Sequence, residues 1–182
     1  MTLRRAVFLD RDDTLIVDES YMSDATRIRP VPGAREALLR LQAAGRELVV
    51  ISNQSGVARG LVTPEQVAAI EARLRELFAP LRFAAFEYCF HHPDDGCDCR
   101  KPKPTLLLRA AARLDLELGS SVMVGDKSSD VAAGNAAGCW SIRVLSGPSR
   151  PAADDAPADF VVKDLGEAVD VILGLGRKGS PP

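Results

Sequence analysis

Apolar and polar positions alternate between two kinds of run. Ala6-Val7-Phe8-Leu9 is continuously apolar and ends at Asp10, the pattern of a parallel strand buried on both faces. Leu48-Val49-Val50-Ile51, ending at Ser52, and Ser121-Val122-Met123-Val124, followed by Gly125-Asp126, repeat it. Phe83 to Tyr88 and Trp140 to Leu145 predict two more strands, and Phe160-Val161-Val162 an edge strand. Between them lie segments of helical period. Gly33 to Ala44 places Ala37, Leu38, Leu41 and Ala44 on one face, with Gly45 as a stop. Thr63, Pro64 and Gln66 form a capping box that opens a helix running to about Phe78. Further helices are expected from Pro104 through Leu114, from about Ser129 to Ala137 and from Gly166 to Leu173. Residues 14–32 have no clean period and read as a loop or small flap, and 146–158 as a surface loop. The expected fold is α/β: a doubly wound, mostly parallel sheet with helices on both faces.

The chain has 182 residues, which suits one domain, expected over 1–173, with a disordered tail at 174–182. Its 23 Lys and Arg against 25 Asp and Glu give a net charge of −2, without the basic excess of a nucleic-acid or anionic-membrane binder. No apolar run approaches the roughly 18 residues of a membrane span. A soluble, cytoplasmic monomer acting on a small molecule is therefore expected.

Ligands of such folds bind at the carboxyl ends of the strands, and there this sequence places polar residues. Asp10 and Asp12 stand at i and i+2 after the first strand. On an extended chain they share a face and can hold Mg²⁺, attack an electrophile or move a proton, although an isolated D-x-D is as readily a solvated turn. Ser52-Asn53-Gln54-Ser55-Gly56 offers hydroxyl, amide and backbone donors for a phosphoryl group. Arg100-Lys101-Pro102-Lys103 can neutralise phosphate, and Asp126 and Asp130 can supply a Mg²⁺ ligand and its support. Cys89, Cys97 and Cys99 cluster with His91 and His92, the two histidines of the chain. Three thiolates and one imidazole make a closed, structural Zn²⁺ site; His91 fits C-x-H, with His92 as the alternative. Cys139, ahead of a strand, reads as a small core residue.

Acids ending strands one and four, a hydroxyl ending strand two and a lysine between them resemble the four motifs of the haloacid dehalogenase superfamily of phosphatases, over residues 7–130. The resemblance implies that Asp10 is the nucleophile of an aspartyl-phosphate intermediate and Asp12 the general acid and then base. It implies that Ser52 and Lys101 hold the phosphoryl group, and that Mg²⁺ sits on Asp10, the Asp12 carbonyl and Asp126. One position departs: Asp13 stands where the motif has Gly, which affects the flap geometry rather than the chemistry.

The pattern D-R-D-x-T, S-N-Q-S-G-V-A-R-G, C-x-H-H-P…C-x-C-R-K-P and G-D-K-x-x-D is similar to the heptose bisphosphate and histidinol-phosphate phosphatase branch of that superfamily. It implies removal of the C7 phosphate of a heptose 1,7-bisphosphate, on the way to nucleotide-activated heptose for surface polysaccharide. By the same resemblance Asp18, Tyr21, Arg100 and Lys127 contact substrate, beside Asn53, Gln54 and Ser55. The elements fill the intervals from Asp10 to Ser52 and to Asp126, so no cap domain is expected and the zinc loop, 89–99, together with residues 18–30 shapes the pocket. The cations Arg100 and Lys103 favour a doubly anionic substrate over histidinol phosphate. A zinc-stabilised binding module without turnover is the alternative from another class, and the full catalytic set argues against it.

Overall fold

The computed structural model describes residues 4–176 and Lys178. Six strands form one parallel sheet: β1 (Ala6–Leu9), β2 (Glu47–Asn53), β3 (Phe83–Cys89), β4 (Val122–Gly125), β5 (Trp140–Val144) and β6 (Phe160–Val162). Their order is β3-β2-β1-β4-β5-β6, every pair parallel. The chain thus winds outward from β1 in one direction and from β4 in the other. The reversal point lies between β1 and β4, where an open α/β sheet leaves a crevice at its carboxyl edge.

Alternate residues of each strand feed two apolar layers, because side chains switch faces with period two. Val7, Leu9, Val50 and Val124 pack on one face beneath α1 (Ala34–Ala43), α2 (Pro64–Leu77) and α5 (Leu165–Gly174). Ala6, Phe8, Val49 and Met123 pack on the other beneath α3 (Thr105–Leu114) and α4 (Ser128–Ala136). Cys139 is buried in this second layer, as its sequence context suggested. Burial on both faces explains why the strands are legible as unbroken apolar runs. Helix α2 starts at the expected capping box, with Thr63 accepting from the Gln66 amide and the Gln66 side chain accepting from the Thr63 amide.

The flap between β1 and α1 has no strand or α-helix of its own; a 3₁₀ turn at Ala25–Arg27 and isolated bridges Asp12–Ile16 and Ile16–Pro30 shape it. At the other end of the chain, Gly174 closes α5, and the Trp140 indole donates to the Gly176 carbonyl at 3.0 Å. The Lys178 amine reaches Asp159 at 2.5 Å and the Cys139 carbonyl at 2.8 Å. Of the stretch expected as a tail, 174–176 and 178 are described and 177 and 179–182 lie outside the described residues. Among the described residues, no helix is long and apolar enough to cross a membrane.

Candidate active site

The crevice between β1 and β4 is built from strand ends. Asp10 leaves β1 with its amide bonded to the Val124 carbonyl at 2.9 Å, which sets it beside Asp126, one residue beyond β4. Lys101 reaches the same place from the loop before α3. Its amine, almost fully buried, contacts Asp10 Oδ1 at 2.7 Å, Asp130 Oδ1 at 2.6 Å and the Ile51 carbonyl at 2.8 Å. Burial works against the lysine charge, but Asp10 and Asp130 outweigh it and hold the amine protonated above the ordinary lysine value. Asn53 braces this arm, its carboxamide bonding both the amide and the carbonyl of Lys101 at 3.1 Å.

Asp130 also accepts from the Lys127 amide at 3.0 Å, so both of its oxygens are engaged within the chain. Its carboxylate lies against Gly125, where any Cβ would come within 2.3 Å of Asp130 Oδ2. That close approach accounts for the glycine of G-D-K-x-x-D. The Asp126 carboxylate is held less closely: it is fully buried, neither oxygen has a hydrogen-bond partner, and its ion pair to Lys127 Nζ is long at 3.8 Å. Desolvation lifts Asp126 to about 6, with Asp130 and Asp13 adding to the rise against Lys127. Asp10 is pushed up to about 7, chiefly by burial and next by Asp130. Oxygens of Asp10, Asp126 and Asp130 fall within 4.8 Å of one another. Orphaned buried carboxylate oxygens facing a second carboxylate are the donor set of a hard divalent cation. With Asp130 spent on Lys101 and Lys127, Asp10 and Asp126 are the side chains that fit Mg²⁺.

Asp12 faces the adjoining space and is held from two sides. Arg11 donates to its two oxygens, Nε to Oδ1 at 2.7 Å and Nη2 to Oδ2 at 3.1 Å. Gln54 donates from Nε2 to Asp12 Oδ2 at 2.9 Å and to Ser52 Oγ at 2.8 Å, and accepts from Arg11 Nη2 at 2.9 Å. Arg11 is 1% exposed. Its guanidinium charge survives because the Asp12 carboxylate offsets the cost of burial.

Asp10, Asp12, Ser52, Lys101 and Lys127 border a small cleft of about 40 Å³. Beside it lies a cavity of about 300 Å³ bordered by Arg11, Asp12, Asp18, Tyr21, Ser55 and Lys127, among others. Asp18 and Tyr21 come from the flap. The Asp18 amide donates to Asp13 Oδ1 at 3.1 Å, and the Tyr21 ring packs on Gly56. Asp13 takes the left-handed φ of 62° that the usual Gly would adopt easily, and Tyr21 has φ 58°. Aspartate tolerates that region better than most residues.

The loop 146–158 also reaches this crevice, a contact with no sequence signal beyond Gly and Pro. Ser146 Oγ donates to the Asp13 carbonyl at 2.7 Å. Gly147 lies so close that a Cβ there would come within 2.6 Å of Asp126 Oδ2 and 2.8 Å of Asp13 Cβ. Arg143, buried on β5, holds the arrangement by donating to the Asp126 carbonyl, Ser149 and Asp155.

In the loop after β3, Cys89, His91, Cys97 and Cys99 converge. Sulfur separations are 3.7 Å for Cys89–Cys97 and 3.8 Å for Cys97–Cys99. His91 Nδ1 stands 3.6 Å from Cys89 and 3.2 Å from Cys99. Zn–S bonds of about 2.3 Å in a tetrahedron put ligand sulfurs about 3.8 Å apart, so the cluster has the dimensions of such a site. His92 is used otherwise: its Nδ1 accepts from the Asp94 amide at 3.3 Å and its own amide donates to Asp95. Lys103 serves this loop, bonding the Cys97 carbonyl at 2.7 Å and Asp98 at 2.9 Å. Arg100, with Lys101, Cys97 and Pro93, borders a separate depression of about 260 Å³ on the loop's flank.

Comparison with known proteins places this geometry. A HAD-hydrolase-like family model matches residues 98–168. The D-glycero-beta-D-manno-heptose-1,7-bisphosphate 7-phosphatase of Pasteurella multocida is 34% identical over 95% of this chain and 99% of its own. That of Vibrio cholerae is 38% identical over 94% and 98%. The chain belongs to the family of the heptose-1,7-bisphosphate 7-phosphatases. Among solved structures, the D,D-heptose 1,7-bisphosphate phosphatase from B. bronchiseptica, complexed with magnesium and phosphate, aligns with a TM-score of 0.86 at 31% identity. It covers 93% of this chain and 98% of its own.

Against that family background, the structure brings Asp10, Asp12, Ser52, Lys101, Asp126 and Lys127 to one crevice. It sets Asp18, Tyr21, Asn53, Gln54 and Ser55 along the larger cavity. Arg100 lines the neighbouring depression rather than that cavity. Sequence reasoning assigned nothing to Arg11 and Gly147. An arginine between two acids reads as a surface charge until its burial is known, and a Gly-Pro loop reads as a turn.

Proposed function

We propose that the protein is a Mg²⁺-dependent phosphatase that removes the C7 phosphate of D-glycero-D-manno-heptose 1,7-bisphosphate. The observation that carries the reading is the fully buried Asp126 carboxylate, without a hydrogen bond to either oxygen and with only a long 3.8 Å ion pair to Lys127, beside Asp10 and Lys101. In a chain whose relatives bear this activity in their names, it is the motif of phosphoryl transfer to an aspartate. Asp10, Asp126 and the Asp12 carbonyl are the Mg²⁺ ligands; the ion, when bound, offsets the repulsion between carboxylate and phosphate. Lys101, charged and braced by Asn53, shares that task and with Ser52 holds the phosphoryl oxygens.

In the first step an Asp10 oxygen bonds to phosphorus while the bond from phosphorus to the sugar oxygen breaks. In this step Asp12 is in its protonated form and the departing oxygen takes its proton, leaving an aspartyl-phosphate and the heptose 1-phosphate alcohol. In the second, water attacks phosphorus, gives its proton to Asp12, and displaces the Asp10 carboxylate. The flap residues Asp18 and Tyr21, with Asn53, Gln54, Ser55, Arg100 and Lys127, contact or frame the substrate. The Cys89–His91–Cys97–Cys99 cluster holds structural Zn²⁺ and fixes the loop that delivers Arg100 and Lys101.

The reading has the protein act as a monomer without a nucleic-acid partner, in keeping with its net charge of −2. The product feeds activated-heptose synthesis in the cytoplasm. Phosphate release from the bisphosphate with Mg²⁺, abolished in a folded Asp10→Asn variant, is the expected result. Unchanged release by that variant would overturn the reading.

A further inference from the structure

We propose that Arg11 and Gln54 form a clamp that aims Asp12 at the leaving oxygen, so that Arg11 is a positioning residue for proton transfer. This deepens the phosphatase reading and rests on it.

An aspartate after a strand end has two side-chain torsions, and in an open crevice nothing but its neighbours chooses among their settings. Here three hydrogen bonds choose. Nε and Nη2 of Arg11 engage both carboxylate oxygens at 2.7 and 3.1 Å, and Gln54 Nε2 adds a third at 2.9 Å. The clamp is itself locked, because Arg11 Nη2 also donates to Gln54 Oε1 and Gln54 donates on to Ser52 Oγ. Arg11 is 1% exposed and Gln54 8%, so neither is free to swing into solvent.

A guanidinium fork fixes a carboxylate's plane as well as its position, which a lysine amine cannot do. Both residues border the large cavity and Asp12 borders both cavities, so the fixed carboxylate stands where the cleft opens into the larger space. Gln54, expected from the sequence to bind substrate, spends both ends of its carboxamide inside the protein.

A residue acting through the general acid has a signature that a structural residue lacks. Its loss matters when the leaving group needs a proton and not when the leaving group departs as a stable anion. First-turnover alcohol release in the presence of Mg²⁺ is to be measured for wild type, Arg11→Lys and Arg11→Met. The two substrates are heptose 1,7-bisphosphate and p-nitrophenyl phosphate. Because positioned acid catalysis contributes on the order of 10²–10⁴-fold, disordering the acid forfeits part of it. Arg11→Met is expected to slow sugar release by about 10- to 100-fold and nitrophenol release by less than about 3-fold.

Arg11→Lys keeps the buried charge but not the fork, and gives the same imbalance in smaller degree. If Arg11→Met does not fold, Arg11→Lys decides. Equal slowing of both substrates, or of neither, overturns the proposal. Failure of the wild type on both would overturn the phosphatase reading itself and the proposal with it.

Discussion

Replacing Lys101 by Met tests the charge balance on which the site depends. The lysine amine is almost fully buried, donating to Asp10 and the Ile51 carbonyl and paired with Asp130 at 2.6 Å. Methionine fills a similar volume but leaves two buried carboxylates facing each other. Removing one partner of a buried charge network costs about 3–5 kcal/mol. For a chain of this size each kcal/mol is about 2–4 °C in Tm, so a fall of about 6–20 °C is expected near neutral pH.

The loss depends on pH in a definite direction. Asp10 is already raised to about 7 by burial and by Asp130, against the opposing pull of Lys101. Without Lys101 its folded-state pKa rises further above the unfolded value. The group's contribution to stability is then complete below about pH 4 and is lost as pH rises through the folded value. Urea unfolding followed by circular dichroism at about pH 5 and pH 7.5, in chelator, should show the larger destabilisation at the higher pH, with partial recovery on adding Mg²⁺. A loss below about 1 kcal/mol at pH 7.5, or an equal loss at both values, would show that Lys101 does not balance these buried carboxylates.

Three further outcomes are expected. Because Asp10 at about 7 and Asp126 at about 6 bind protons that the unfolded chain has released, the metal-free protein loses stability as pH rises through 6 and 7. Mg²⁺ displaces those protons, so its Tm increment should be greater at pH 7.5 than at pH 5; equal increments would contradict this. Gly147→Ala puts a methyl within 2.6 Å of Asp126 Oδ2 and should weaken Mg²⁺ activation at least about 10-fold, read from the Mg²⁺ concentration giving half-maximal phosphate release. Cys97→Ser should lower zinc content, by elemental analysis, together with activity, and full activity in a zinc-free variant would sever the two.

The strand ends were legible because a parallel strand buried on both faces is an unbroken apolar run, and the first polar residue after it is the one on the carboxyl edge. Asp10, Ser52 and Asp126 follow from that rule, and the Thr63–Gln66 capping box from local chemistry. The choice between His91 and His92 was not legible, since both lie in the same loop and only backbone direction sends His91 to the sulfurs while His92 caps a turn. Nor was the flap, whose shape rests on single bridges to Ile16 and on Asp13 at positive φ rather than on any period. Arg11 and Gly147 escaped for a common reason. Their roles come from contacts across the fold, Arg11 to Gln54 and Gly147 to Asp126, that neither residue's neighbours in sequence announce.

The substrate assignment is tested most directly by competition. Heptose 1,7-bisphosphate and histidinol phosphate, supplied together to the Mg²⁺-loaded enzyme, report the ratio of kcat/KM when each is followed by ³¹P NMR. Consumption of the bisphosphate first, by at least about 100-fold and with the C1 phosphate left in place, is expected. Preferential loss of phosphate from histidinol phosphate, or first loss from C1, would contradict it.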